Sequence, residues 1–193
     1  MILMRHGQSE FNLHFSATKR DPGIADPRLT PEGHAQAAAA AAILVGQKIT
    51  RIVVSPYTRA LQTASPIAHA LGVPVHVSPV VRERYHFTCD IGSPRSVLQA
   101  AWPQHDFGVL DEVWWPDETE TAHSTMARAA SFRASMQALH DWQHTLVVSH
   151  WAFLLSFSGE NLANGHWTRL DHLTPPHDGD LPPALRAELP ASL

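Results

Sequence analysis

Two histidines and two arginines are the residues of this sequence best suited to chemistry. Arg5 and His6 end the opening run MILM before Gly7, Arg59 follows Ser55-Pro56, and His150 closes the stretch LVVSH. A planar guanidinium offers paired donors to phosphate oxygens. An imidazole can attack phosphorus to give a covalent intermediate. Gly7 lets the backbone pass close to a ligand. Gathered at one place, these four side chains would make a pocket for a compact dianion.

The elements that must gather them are short apolar runs. Ile2-Leu3-Met4, Arg51-Ile52-Val53-Val54 and Leu146-Val147-Val148 are apolar on alternate and intervening positions alike. That pattern predicts central strands of a mostly parallel sheet, covered on both faces. Each run delivers a cation or an imidazole towards its carboxyl end, where open α/β sheets bind ligands. Thr30-Pro31 predicts a helix start, with Thr30 as cap, running through the alanines to a stop near Gly46. Ser55-Pro56 predicts a second start of the same kind, ending near Gly72, with Arg59 beside free N–H groups in its first turn and a kink or break at Pro66. A third helix is expected from Ser124 to about Trp142. Val75-His76-Val77 and Trp167-Thr168-Arg169-Leu170 read as further strands. The stretch from Phe87 to Glu120 reads as an irregular excursion that lids the pocket. The whole predicts an α/β fold, a three-layer α/β/α sandwich around a mostly parallel mixed sheet, over residues 1–173. A Pro-rich tail, 174–193, follows.

Composition narrows the partners. The chain has 193 residues, enough for one domain with a substantial core. It carries 14 Lys and Arg against 18 Asp and Glu, a net charge of −4. That balance argues against nucleic acid or an anionic membrane as partner, so any anion must be gripped locally. No run is long enough to span a bilayer, and no signal peptide is expected. The single cysteine, Cys89, rules out an intrachain disulfide and points to a reducing, cytoplasmic setting.

Arg5-His6-Gly7, followed by Gln8, Ser9 and Asn12, resembles the signature of the histidine phosphatase superfamily, the phosphoglycerate-mutase-like proteins. The resemblance continues in order along the chain. It takes in Leu29-Thr30-Pro31-Glu32-Gly33 with Gln36, Ser55-Pro56 through Arg59 to Gln62-Thr63-Ala64, Glu120 with Arg128, and Val147 to His150. The family implies a phosphatase or mutase that needs no metal or cofactor and acts on a small phosphorylated substrate. It implies His6 as nucleophile, with Arg5, Asn12, Arg59, His150 and the backbone at Trp151 around the phosphate. Glu83, in Val81-Arg82-Glu83-Arg84, stands where the family often has its general acid. Such a carboxyl must have a raised pKa to act near neutrality, and Arg82 and Arg84 would oppose that if they pointed inward. Two departures stand out. Trp151 replaces the glycine common after the second histidine, and Tyr85 to Pro94 replaces the family's usual run after the acid, leaving the substrate open.

Other residues have plainer readings. Cys89 reads as a small buried side chain, since no basic partner is identifiable. Trp114-Trp115 reads as core or lid packing. His140 and His144 have the i, i+4 spacing of a zinc site on a helix, but among 14 histidines chance accounts for it better. His166, His172 and His177 with Asp178 and Asp180 read as solvated surface. The expectation is therefore a metal-independent phosphatase of small phosphomonoesters. A phosphomutase, a catalytically quiet phosphoester-binding module and a metallohydrolase are the alternatives, and the oligomeric state is open.

Overall fold

In the computed structural model, which describes residues 1–176, five strands form one sheet: β1 (Ile2–Arg5), β2 (Arg51–Val54), β3 (Val75–Val77), β4 (Thr145–Ser149) and β5 (Trp167–Arg169). Their order is β3-β2-β4-β1-β5, with β5 alone antiparallel to its neighbour. Alternation sorts the strand side chains onto two faces. Ile2, Met4, Ile52, Val54, Leu146 and Val148 face one core, and Leu3, Val53 and Val147 the other.

Helices cover both faces. On the first lie α2 (Pro31–Leu44) and α3 (Thr58–Leu71). Thr30 caps α2 by accepting from the Gly33 amide at 3.1 Å, with Pro31 at the first helical position, as expected. Its small Ala40 and Ala41 let it lie close against its neighbours. On the second face lie α5 (Ala122–Gln137) and α6 (Trp151–Ser158), packing Phe132, Phe153 and Phe157 together. The chain is thus the expected layered α/β protein with a mixed sheet.

Several boundaries differ from expectation. The helix α3 begins at Thr58 and not at Pro56, because the Ser55 hydroxyl is engaged by His150 Nε2 at 2.7 Å. Asp26 caps the helix instead, accepting from the Thr58 amide and hydroxyl at 2.8 and 2.6 Å. The helix runs through Pro66 without a break, held by buried Leu61, Ala64 and Ile67 on one face. Helix α5 stops at Gln137, well short of Trp142, because Asp141 is drawn into an ion pair with Arg51 and the chain must turn into β4. His140 and His144 therefore do not share a helix, and among the described residues no three metal-ligating side chains form a group that could hold an ion.

Besides α6, which was not expected after His150, two helices went unforeseen. The first is α1 (Glu10–Thr18), whose one buried residue, Phe11, leaves no apolar stripe to read. Its start was legible in Ser9 and Asn12, which cap it reciprocally. The second is α4 (Arg95–Ala101), inside the stretch expected to be irregular. That stretch is anchored by Leu98, Phe107, Leu110 and Trp114, buried against the α2–α3 side, and only its beginning borders the cavity described below. Leu173 is still held, its carbonyl accepting from Gln137. Most of the expected tail, with His177, Asp178 and Asp180, lies outside the described residues. No helix among the described residues is long and apolar enough to cross a membrane.

Candidate active site

Strand register brings the two histidines together. Arg5 pairs with Ser149, so His6 and His150 leave adjacent strands side by side, their ring centroids 5.0 Å apart. Val54 pairs with Val148, which sets Ser55 beside His150. Arg59 follows in the first turn of α3, nearly fully buried, with Tyr57 stacked 4.4 Å from its guanidinium carbon. Arg5, His6, Arg59 and Glu83 all wall one cavity of about 340 Å³.

His6 is held in one tautomer. Its Nδ1 lies 2.7 Å from the Gly7 carbonyl oxygen. A carbonyl can only accept, so Nδ1 carries the proton and Nε2 keeps its lone pair. Burial, then Arg59 and Arg5, push the His6 pKa well below the ordinary imidazole value, so the ring is neutral at pH 7. The loop beneath it is tightly fixed. The Gly7 amide donates to Thr63 Oγ1 at 3.0 Å, and that hydroxyl donates to the Arg59 carbonyl at 2.7 Å. A Cβ on Gly7 would stand 2.5 Å from the Gly33 carbonyl oxygen, so the loop and the first turn of α2 touch backbone to backbone.

His150 is fully buried and stands behind the cavity wall. Burial, then Arg59, His6 and Arg5, keep it neutral. Among the described residues its Nδ1 has no hydrogen-bond partner, and neither has the buried Nε of Arg5. Arg5 Nη1 donates to the Leu162 carbonyl at 3.0 Å. Arg59 donates through Nη1 to the Cys89 carbonyl at 2.7 Å and pairs through Nη2 with Asp90 at 3.2 Å. At the start of α3 the Thr58 amide is taken by Asp26, and the amides of Ala60 and Leu61 by the Tyr57 carbonyl.

Glu83 is part-buried at the head of α6. Its Oε1 accepts from the amides of Arg84, Ala152 and Phe153 at 2.9, 3.0 and 3.3 Å. Burial, then the charge of Asp90, raise its pKa above the usual carboxylate value despite those donors. Arg82 does not turn inward against it but pairs with Glu120 at 2.8 Å. Glu120 also holds Arg128 at 3.0 Å and accepts from the Tyr85 amide at 3.0 Å. Arg128 in turn donates to the carbonyls of Val80 and Arg82, both at 2.8 Å, and of Glu83 at 3.3 Å. This network clamps the backbone on both sides of Glu83.

Asn12 and Trp151, also expected around the phosphate, both line the cavity. Asn12 lies on the wall, yet its Oδ1 accepts from the Ser9 amide, the Ser9 hydroxyl and Asn164 Nδ2 at 3.1, 2.9 and 3.1 Å. The Trp151 indole lines the cavity and donates to Asn161 at 2.9 Å, while the next two amides go to Glu83. Cys89 is buried, and burial raises its thiol pKa, as its plain reading held. Sequence reasoning missed Asp90. Its Oδ1 pairs with Arg59, and its Oδ2 accepts from the His86 and Phe87 amides at 3.0 Å each. No spacing marked it within an irregular stretch. Phe11 and Phe15 were also missed; their i, i+4 spacing just after His6 was the available signal.

Comparison with known proteins gives a consistent picture. Residues 1–174 match the profile of the histidine phosphatase superfamily (branch 1). The glucosyl-3-phosphoglycerate phosphatase of Mycobacterium tuberculosis is 26% identical over 208 residues, covering 92% of this chain and 88% of that one. Its namesake in Mycolicibacterium vanbaalenii is 32% identical over 117 residues, and the match spans 54% of this chain and half of that relative's length. The solved structure of mycobacterial glucosyl-3-phosphoglycerate phosphatase in complex with VO3 shares the fold, with a TM-score of 0.61 at 22% identity over 86% of this chain and 88% of that one.

Proposed function

The chain belongs to the histidine phosphatase superfamily, and from that premise we propose that it hydrolyses a small phosphomonoester through a phosphohistidine on His6. The observation that carries this is the state of His6: neutral, with Nε2 unprotonated, in a cavity walled by Arg5, Arg59 and a part-buried Glu83.

Nε2 attacks phosphorus while the P–O bond to the alcohol breaks. Glu83, protonated on Oε2, which takes only the longer 3.3 Å share of the Ala152 amide while Oε1 accepts from three amides, gives its proton to the departing oxygen. Arg5 and Arg59 hold the phosphoryl oxygens as charge redistributes. The Ser55 hydroxyl donates to His150 Nε2, which leaves the Nδ1–H of His150 as a donor from behind. Water, deprotonated by Glu83, then cleaves the phosphohistidine and releases phosphate. No step calls for a metal. A free buried Cys89 suits the reducing interior of a cell.

The test is inorganic phosphate release from a panel of phosphomonoesters in the presence of chelator, with His6→Ala as control. Turnover that is abolished in His6→Ala and undiminished by chelator supports the reading. Equal rates in the two proteins remove it, and transfer of the phosphoryl group to an added alcohol in place of water makes the protein a mutase.

A further inference from the structure

Beyond the phosphate end, one side of the cavity wall is aromatic, with Arg84 also on the lining. Phe11 and Phe15 come from α1, one turn apart, and Phe87 comes from the segment after Glu83. The three rings touch in a triangle, with centroids 5.3, 5.5 and 5.2 Å apart. His86 stands edge-on to Phe87 at 4.7 Å, and the Trp151 indole faces the same cavity from α6.

A purely structural aromatic cluster closes on itself. This one borders the space that holds His6 and Glu83, with Phe15 and Phe87 only half-buried. It is also built in place. The Phe87 amide is held by Asp90, the carboxylate that pairs with Arg59, and the Thr88 amide donates to Asp21 at 2.8 Å. One buried carboxylate therefore fixes both a phosphate cation and the aromatic wall. The volume, about 340 Å³, is at the small end for ligand sites and holds a phosphate with one ring system beside it.

We propose that the alcohol part of the substrate carries an aromatic ring close to the phosphate, laid against Phe11, Phe15 and Phe87. Offset or edge-to-face contact with these rings would add affinity beyond simple burial. The proposal rests on the phosphate-site reading above, and its test keeps the two apart.

Benzyl phosphate and ethyl phosphate leave as alkyl alcohols, so they differ in the ring and little in leaving-group chemistry. Glucose 6-phosphate and 3-phosphoglycerate supply the sugar and the carboxylate alternatives. Wild type should show kcat/KM for benzyl phosphate at least tenfold above each of the other three. Phe15→Leu and Phe87→Leu, which keep apolar bulk but lose the ring, should each lower the benzyl-to-ethyl ratio about tenfold. A ratio is insensitive to the fraction of folded protein. In a second arm without turnover, calorimetry should show benzylphosphonate binding at least tenfold more tightly than methylphosphonate. Tighter benzylphosphonate binding with no phosphate release from any ester would sustain the ring site and overturn the hydrolase. Phosphate release with no benzyl preference, or a preference that both Leu variants leave intact, would overturn the ring site and sustain the hydrolase.

Discussion

Glu83 sits between opposing influences, and their balance decides what it can do. Three backbone amides favour its anion, while burial and the neighbouring charge of Asp90 favour its acid form and prevail. Glu83→Gln removes the proton donor with little change of shape. Turnover of an alkyl phosphate should fall by about 10²–10⁴, while p-nitrophenyl phosphate, whose leaving group needs no proton, should lose far less. Equal losses on both substrates would deny Glu83 the acid's role. Asp90→Asn tests the balance from the other side. Removing that charge lowers the Glu83 pKa, so the alkaline limb of the kcat profile on an alkyl phosphate should move to lower pH. An unmoved limb would mean that Asp90 serves Arg59 alone. The same substitution leaves Arg59 buried without its anion, and breaking a buried pair costs about 3–5 kcal/mol, which equilibrium denaturation would read.

At the scale of elements, the site depends on how closely loop and helix approach. Glycine at position 33 lets the first turn of α2 lie under the loop carrying His6; a Cβ there would overlap the Gln8 carbonyl oxygen. Gly33→Ala should therefore destabilise by about 1–3 kcal/mol. It should also lower kcat by about a hundredfold, since a displacement of 1 Å in a reacting group costs that much. A variant with unchanged kcat would show that the loop tolerates the shift. The strands and the two histidines at their ends were legible in sequence because burial on both faces leaves continuous apolar runs, and parallel register does the rest. The start of α3 was not, because Ser55 had a partner 95 positions away that no local pattern reveals. Asp90 and Phe87 were hidden for a related reason. Their meaning comes from Arg59 and from α1, and the stretch between Phe87 and Glu120 has no period from which to read them.

For the whole molecule, burying two neutral imidazoles at the centre makes stability depend on pH. His6 and His150 both have pKa values pushed well below 6.5 by burial and by the arginines, whereas the unfolded chain protonates them normally. Well above pH 6.5 neither state binds these protons, and their contribution to stability is complete. Below it the unfolded state takes up two protons that the native state refuses, so unfolding free energy should fall by about 3 kcal/mol per pH unit. Part-buried His105 acts in the same direction. The α-amino group of Met1, lowered to about 6, does so between pH 8 and 6, so the histidine slope is read below pH 6. Glu83 acts oppositely. Its raised pKa lets the native state gain a proton before the unfolded one does, which takes one proton's worth off the slope at the acid end. Urea denaturation at intervals from pH 7.5 to 5 would trace the curve, and His150→Asn should remove about half of the slope below pH 6. A slope indifferent to that substitution would mean that His150 is protonated in the native state, and a cation there would leave its Nδ1 hydrogen free for a phosphate oxygen while strengthening the field that keeps His6 neutral.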